Sequence, residues 1–524
     1  MKQLFSTIEN LSNWPDFRLR LFVEGAIVGV LSGIVISFFR WALDAGTYYR
    51  LYIYDHVLVT GGILENLLWF TLLLAAAYLL WRLTVYEPDA GGSGIPQVKG
   101  VILGAIRMRW FRILWVKLIG GIVGIGLGLS LGREGPSIQI GAVTAEGFSR
   151  GLGRTRMEER YLITAGASAG LAAAFNAPLA GVIFALEELH RNFSGVVLAP
   201  AMAAALLATM VSRVVFGRAP IFHFGILPPF PLRYMWIAVL LGVVIGLAGI
   251  VFNKGLLGIS KFYDLPVFRN GYMRIAFPLL LAGVLGYVFP QILGGGNDLI
   301  NSLYMLPLSL KIFGALLIGK FLFTLLSYGC GVPGGFFLPM LVLGALTGSV
   351  FGIVLIKAGI ISSYYLSNIV VVSMAAFFAA SVQSPVTGTI LIMEMTGSYE
   401  HLLVLCTASM VALAVAQICH GQPIYEALLK RTLAKKRPVI SPSERRNIIE
   451  LTVASGSAAD GKYIGRLHWP AHVALVDIKR GSSEIIPDSD TRLHAGDYIY
   501  ILTDSVEGAE KARNLVEKEQ APTV

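Results

Sequence analysis

Apolar runs long enough to cross a bilayer recur over the first part of the chain. They extend from about Leu21 to Phe39, Gly62 to Trp81, Ile113 to Leu131 and Gly195 to Val215. Further runs cover Trp236 to Phe252, Ile275 to Ile292, Ile312 to Tyr328 and, almost without a break, Phe336 to Ile418. Many are interrupted by Gly or Pro, and some are too short or broken to span about 30 Å of hydrocarbon as one helix. Broken helices persist at membrane depth only where protein or a water-filled cavity covers the freed backbone groups. The pattern predicts a transporter or channel rather than a simple anchor. Near Lys430 it changes. Leu433 to Asn447 is basic and contains Pro and Ser, as a linker does. Short β-type runs then follow, LTVAS, VALVDI and DYIYIL, among turn signals at Asp460-Gly461, Arg480-Gly481 and Gly496-Asp497. Ser505 to Gln520 reads as one charged helix.

Composition sharpens this picture. Apolar residues make up 55% and charged residues 14% of 524, and mean hydropathy is +0.69. A soluble enzyme, a disordered chain and a coiled coil are excluded. Glycine, at 58 residues, is abundant enough for close helix contacts. The net charge of +10 fits Lys and Arg in cytoplasmic loops better than nucleic-acid binding. Cys330, Cys406 and Cys419 lie in apolar stretches without CxxC spacing, which predicts core thiols and neither a metal nor a disulfide. Residues 1–20 carry no signal-peptide pattern and read as a cytoplasmic lead-in.

The apolar region repeats itself. GREGPSIQIGAVT, Gly132 to Thr144, aligns with GFFLPMLVLGALT, Gly335 to Thr347, at an offset of 203 (335 − 132), sharing Gly, Pro, Gly, Ala and Thr. PLAGVIFALE, Pro178 to Glu187, aligns with PVTGTILIME, Pro385 to Glu394, at an offset of 207 (385 − 178). Two nearly equal offsets identify two homologous halves. Internal repeats of this kind are common in secondary transporters, with the substrate at the repeat interface.

Four constellations carry candidate chemistry. Gly92-Ser93-Gly94-Ile95-Pro96 suits a helix start, with free N–H groups and a hydroxyl pointing one way. In Gly132-Arg133-Glu134-Gly135-Pro136 an ionisable pair follows a Gly-rich apolar helix, and Glu134 would compete with anions for N–H groups. Gly334-Gly335-Phe336-Phe337-Leu338-Pro339 lets backbone approach a ligand closely. Tyr425, in Pro423-Ile424-Tyr425, stands where apolar sequence meets polar. Alone, each has an ordinary explanation: a capped loop, a local ion pair, apolar packing or an interfacial anchor. Together they suit a dehydrated anion held by helix N-termini, backbone N–H groups and hydroxyls, without a cage of fixed positive charge.

GSGIP, GREGP, GGFFLP and the late Tyr425, in this order and spacing over roughly residues 20–432, resemble the signature set of the CLC chloride channel and transporter family. The resemblance implies an all-α polytopic membrane protein of two inverted-repeat halves, built from tilted and broken helices, and a homodimer with one pore per subunit. It implies that Ser93 and Tyr425 give hydroxyls to chloride and that Phe336 and Phe337 give backbone N–H groups. It makes Glu134 the external gate and proton acceptor. Glu188, at the end of the Asn176 to Glu188 segment, resembles the internal proton-transfer glutamate of proton-coupled members, whereas channels of the family usually lack a carboxylate there. The repeat pairs Glu187 with Glu394 but Glu188 with Met395. The alternative for Glu188 is a solvated acid at a helix end. Gln97 and Lys99 depart from the acids that proton-coupled relatives often carry there, and a lysine so placed would affect Glu188. Ser93 favours chloride over nitrate.

Residues 448–506 resemble the RCK C-terminal (TrkA-C-like) domain, through Gly461 to Leu467 and Leu493 to Leu502. Such domains dimerise and often bind small ligands, which implies a regulatory α/β module whose ligand is unknown. Asp477, Lys479 and Asp497 there have the ordinary reading of surface charges.

The expected organisation is a lead-in over 1–20, a membrane domain over 21–432 with halves of about 21–215 and 232–432, a linker over 433–447, the regulatory domain over 448–506 and a charged tail over 507–524. The expected activity is chloride/proton antiport across the inner (plasma) membrane, with both termini cytoplasmic, no cofactor and no metal. Partners are chloride, protons, the bilayer and a second copy of the chain. A passive chloride channel is the alternative. A potassium transporter lacks support because no TVGYG-type filter occurs, and no Walker A, HExxH or dinucleotide fingerprint suggests an enzyme. The sequon Asn192-Phe193-Ser194 is read as incidental.

Overall fold

A computed structural model describes residues 14–58, 61–191, 193–224, 227–436, 447–471, 473–480, 483–503 and 506–517. Most of the lead-in, Asn192 of the sequon, Gly481 and the linker from 437 to 446 lie outside these residues. The chain forms two compact units that divide between Thr432 and Leu433.

The first unit is helical. The first half contains α1 (Trp14–Tyr52), α2 (Ile63–Tyr86), α3 (Ile95–Ile102), α4 (Trp110–Gly126), α5 (Glu134–Gly151), α6 (Arg156–Phe175), α7 (Pro178–Phe184) and α8 (Gly195–Phe216). The second half contains α9 (Met235–Tyr263), α10 (Gly271–Val288), α11 (Asn297–Ser302), α12 (Leu310–Gly329), α13 (Phe337–Lys357), α14 (Leu366–Val382), α15 (Pro385–Thr396) and α16 (Leu402–Ile418). α17 (Ile424–Lys436) closes the unit. Eight helical stretches among the described residues are long and apolar enough to cross a membrane.

Hydropathy passed over α5 to α7. These helices are rich in Ala and Gly, and their value lies in close packing rather than in greasy surface. Gly141 on α5 faces Gly166 on α6 so closely that a Cβ on either would overlap the other's carbonyl. Every residue of α6 from Leu162 to Phe175 is buried, and so is every residue of its counterpart α14 from Asn368 to Val382.

The halves repeat one packing scheme. α5 packs on α6, α1 on α8 and α6 on α8; correspondingly α13 packs on α14, α9 on α16 and α14 on α16. A local two-fold axis passes between Gly132 and Gly335. Each donates its N–H to the other's carbonyl, at 2.6 and 2.9 Å, as an antiparallel pair does. Glu187 of the first half accepts from the N–H groups of Val386 and Thr387 at the start of α15, and Glu394 accepts from Leu179 and Ala180 at the start of α7. Each half thus caps a helix of the other, a reciprocal exchange between the two halves.

The second unit is an antiparallel sheet with one helix. Strands β1 (Asn447–Thr452), β2 (Val473–Arg480), β3 (Ser483–Ile485) and β4 (Tyr498–Thr503) take the order β1-β4-β2-β3. α18 (Val506–Glu517) buries Ala512 and Val516 in the same cluster as Ile478, Ile499 and Ile501, so the charged helix contributes one face to this core. Asp497 differs from the surface reading: it is buried and binds Arg480 through both oxygens, each at 2.8 Å. Asp477 is half-buried and Lys479 exposed. Of the thiols, Cys330 is buried as expected, whereas Cys406 and Cys419 are exposed on the outside of the helical unit. Apolar sequence marks both the core and the lipid-facing surface of a membrane protein, so it does not separate them.

Candidate anion and proton site

The glycine-rich motifs meet beside the two-fold axis. Gly92 donates its N–H to Val332 and accepts from Gly334, at 3.2 and 3.0 Å, which joins the Ser93 loop to the Phe336 loop. Gly135 lies against Ser93 so closely that a Cβ there would reach 2.7 Å from the Ser93 carbonyl oxygen. Gly94 adopts φ 88°, a left-handed conformation that favours glycine. Three segments far apart in sequence therefore share one small space.

Buried lysines brace the loops. Lys117 is fully buried and donates to the carbonyls of Ala90 and Gly92, at 2.9 and 2.7 Å. Gln97 donates to Gly91. With these carbonyls turned towards donors, the Ser93 segment is held in one conformation.

Ser93 is 2% exposed, and its Oγ accepts from the Ile95 N–H at 3.2 Å at the start of α3. Phe336 and Phe337 are fully buried at the start of α13. The first N–H groups of a helix have no partner within it. Among the described residues no carbonyl or side chain accepts from those of Phe336 and Phe337. Tyr425 is fully buried, its ring stacked on Phe336 with centroids 5.4 Å apart, and its Oη has no hydrogen-bond partner among the described residues. These unpaired donors and hydroxyls suit a small desolvated anion. No His/Cys/Asp/Glu cluster that could hold a metal ion occurs among the described residues.

Glu134, the first residue of α5, has no exposed surface. Neither carboxylate oxygen completes a hydrogen bond, although the N–H groups of Glu134 itself and of Leu338 face it. The carboxylate therefore points at the start of α13, where a free anion would also be stabilised. Gly132 makes this possible, because any Cβ there would overlap the Glu134 carboxylate.

Glu188 belongs to the π-helical turn Ala185–His190 that continues α7. It is 1% exposed, which removes the reading of a solvated acid. Lys99 Nζ lies 2.6 Å from its Oε1, and Ser384 Oγ donates to its Oε2 at 3.0 Å. Both Glu134 and Glu188 are within electrostatic reach of Tyr425. The six expected residues thus gather around Tyr425 and Phe336. Sequence reasoning missed Lys117, Ser384 and Glu426. Lys117 was detectable, since it is a lysine inside an apolar run and has a repeat mate, Lys320, 203 positions on.

Comparison with known proteins identifies the family. Residues 72–417 match the model of the voltage gated chloride channel family, and residues 448–516 match the TrkA-C domain. Proteins named H(+)/Cl(-) exchange transporter ClcA from Salmonella paratyphi B and Salmonella newport are each 34% identical over 433 residues, covering 80% of this chain and 90% of the relative. A solved structure described as a slow cyanobacterial Cl-/H+ antiporter is 29% identical with a TM-score of 0.75, covering 80% of this chain and 99% of that one. A eukaryotic CLC transporter shares the fold, with a TM-score of 0.68 at 22% identity over 97% of this chain and 90% of that one. The chain belongs to the voltage-gated chloride channel family.

Proposed function

We propose that this member of the chloride channel family is an antiporter that exchanges chloride for protons across the plasma membrane, as a homodimer with both termini cytoplasmic. The observation that carries the reading is the pair of buried carboxylates, Glu134 and Glu188, both within electrostatic reach of Tyr425, which stacks on Phe336. Buried carboxylates within a membrane protein are expensive and mark proton paths by default. The names of the relatives, H(+)/Cl(-) exchange transporter and Cl-/H+ antiporter, support the same reading.

In the proposed cycle chloride is held by the N–H groups of Phe336 and Phe337 and by the hydroxyls of Ser93 and Tyr425. The Glu134 carboxylate is an internal competitor for the start of α13. When it takes a proton from outside, it loses its charge and its claim on those N–H groups, and chloride occupies the vacated position. Return of the ionised side chain expels the anion. Glu188 exchanges protons with the cytoplasm. Coupling follows because one carboxylate is both the proton carrier and the rival anion. The TrkA-C domain acts as a regulatory module for a small ligand.

One observation favours the channel alternative. Glu188 is ion-paired to Lys99, and a glutamate locked in that pair would be a structural anchor. The deciding measurement uses liposomes with a chloride gradient, an external pH electrode, and valinomycin with potassium to clamp voltage. Antiport predicts chloride-driven proton uptake under the clamp, with coupling lost but chloride flux retained in Glu134→Gln. Chloride flux without proton movement in the unmodified protein would make it a channel.

A further inference from the structure

Glu188 cannot meet water directly. It is 1% exposed, and its two oxygens are occupied by Lys99 and Ser384. Any proton it exchanges with the cytoplasm has to pass through a neighbouring group. The groups around it come from four elements. α3 offers Lys99, and the turn after α7 offers Arg191. The start of α15 offers Ser384, and α17 offers Tyr425 and Glu426.

Lys99 is itself only 3% exposed, with Nζ 2.6 Å from Glu188 and 4.0 Å from Glu426. Glu426 is different: its side chain is 27% exposed, and it pairs with Arg191, which is half exposed. The arrangement is a line from solvent through Glu426 and Lys99 to Glu188. Glu187, the neighbouring acid, is unsuited to this task, because its carboxylate caps α15.

We propose that Lys99 and Glu426 form the cytoplasmic proton relay of this protein, with Glu426 the surface port and Lys99 the carrier that loads and unloads Glu188. The proposal rests on the antiporter reading above. The steps balance as follows. The Lys99 ammonium gives one N–H proton to Glu188 Oε1, leaving a neutral amine and a neutral carboxylic acid. Glu426, protonated from solution, gives its O–H proton to the amine and returns to carboxylate. The net result is one proton moved from solution to Glu188, and release runs in reverse. The neutral pair is accessible because two charges held in a dry interior forfeit much of their solvation, whereas the neutral forms do not. Lysine suits the task because its ammonium can deprotonate when buried, whereas a guanidinium stays charged. Lys99 sits on α3, whose start carries Ser93, so one eight-residue helix connects the anion site to the proton path.

The test separates a proton carrier from a structural ion pair. Wild type, Lys99→Arg, Glu426→Gln and Glu188→Gln are reconstituted, and proton and chloride fluxes are measured together under voltage clamp. Arginine keeps the charge and the pairing but cannot release a proton. The proposal expects the proton-to-chloride ratio to fall about tenfold or more in Lys99→Arg. It expects a smaller fall in Glu426→Gln, together with a changed pH profile of proton flux. A wild-type ratio in Lys99→Arg overturns it. Should Lys99→Arg carry no chloride at all, Glu426→Gln decides: a lowered ratio supports the relay and an unchanged ratio overturns it. Glu188→Gln distinguishes the two levels. If it keeps coupling, the antiporter assignment of Glu188 fails; if it loses coupling while Lys99→Arg keeps it, only the relay fails.

Discussion

Lys117 and Lys320, 203 positions apart, do the same work in opposite halves of the protein. Lys117 Nζ donates to the carbonyls of Ala90 and Gly92, at 2.9 and 2.7 Å; Lys320 Nζ donates to those of Ile292 and Gly294, also at 2.9 and 2.7 Å. Both are fully buried, and both hold a glycine loop that precedes a short helix. Only the first loop carries Ser93.

Replacing Lys320 by methionine leaves the carbonyls of Ile292 and Gly294 without a donor, whereas Lys117→Met orphans only that of Ala90, because Gly92 still accepts from Gly334. Lys117→Met is expected to destabilise the protein by about 1 to 3 kcal/mol and Lys320→Met by about 2 to 5 kcal/mol, the usual ranges for one and two orphaned buried acceptors. Thermal unfolding in detergent measures this. Chloride affinity, measured by calorimetry, should fall further in Lys117→Met than in Lys320→Met, because Ser93 sits on the loop that Lys117 braces. Equal affinities in the two variants would refute that link.

Glu187 and Glu188 are adjacent but should behave differently. Glu187 satisfies the first N–H groups of α15, and Glu394 does the same for α7. Glu187→Gln and Glu394→Gln are each expected to lower stability by about 1 kcal/mol, as the loss of a charged helix cap does. The proton-to-chloride ratio should survive in Glu187→Gln and vanish in Glu188→Gln. Loss of coupling in both would assign a proton role to Glu187 as well.

Gly132→Ala tests the space that Glu134 occupies. The new methyl group would overlap the carboxylate and crowd the Leu338 N–H. The side chain must leave, and the start of α13 then stays open to chloride. Faster chloride flux with weaker proton coupling is the expected outcome. Unchanged coupling with a normal rate would show that Glu134 does not need this position.

In the C-terminal unit, burial opposes the charge on Asp497, but the hydrogen-bonded Arg480 guanidinium and the His494 N–H outweigh it and hold the carboxyl below its usual range. The ordinary value for an aspartate is about 3.8. A depressed carboxyl contributes stability at higher pH and loses it as the pH falls through the lowered folded value. Amide hydrogen exchange of β2 and β4 in the full-length protein, corrected for intrinsic rates, should therefore accelerate below about pH 4. In Arg480→Leu the depression is largely removed, so this acid-induced acceleration should be reduced or lost. A variant with an unchanged profile would show that the pair does not set acid stability.

Much of the site was legible because glycine and proline are conspicuous in an apolar chain. GSGIP, GREGP and GGFFLP mark places where backbone must bend or come close, and close backbone is what binds a desolvated anion. The repeat was legible for the same reason, since its shared residues are mainly Gly, Pro, Ala and Thr. Less visible were α5 to α7, where alanine and glycine keep hydropathy modest although the helices are the most deeply packed. The side of each cysteine was not legible at all, because lipid and core select the same apolar residues.

The sequence by itself determined that the chain is a membrane protein, that it has two related halves, and where glycine and proline interrupt the apolar runs. These are local properties: hydropathy, spacing and the conformational freedom of glycine. Only the tertiary structure decided which carboxylates are alike in role. Glu187 and Glu188 share a turn and a charge, yet one faces a helix start from the other half and the other faces a lysine from α3. The direct pairing of the two halves was decided there too, through the mutual hydrogen bonds of Gly132 and Gly335. The reason is physical. The state of a charge is set by what lies within a few ångströms of it, and here those neighbours come from segments about 90 to 200 residues away.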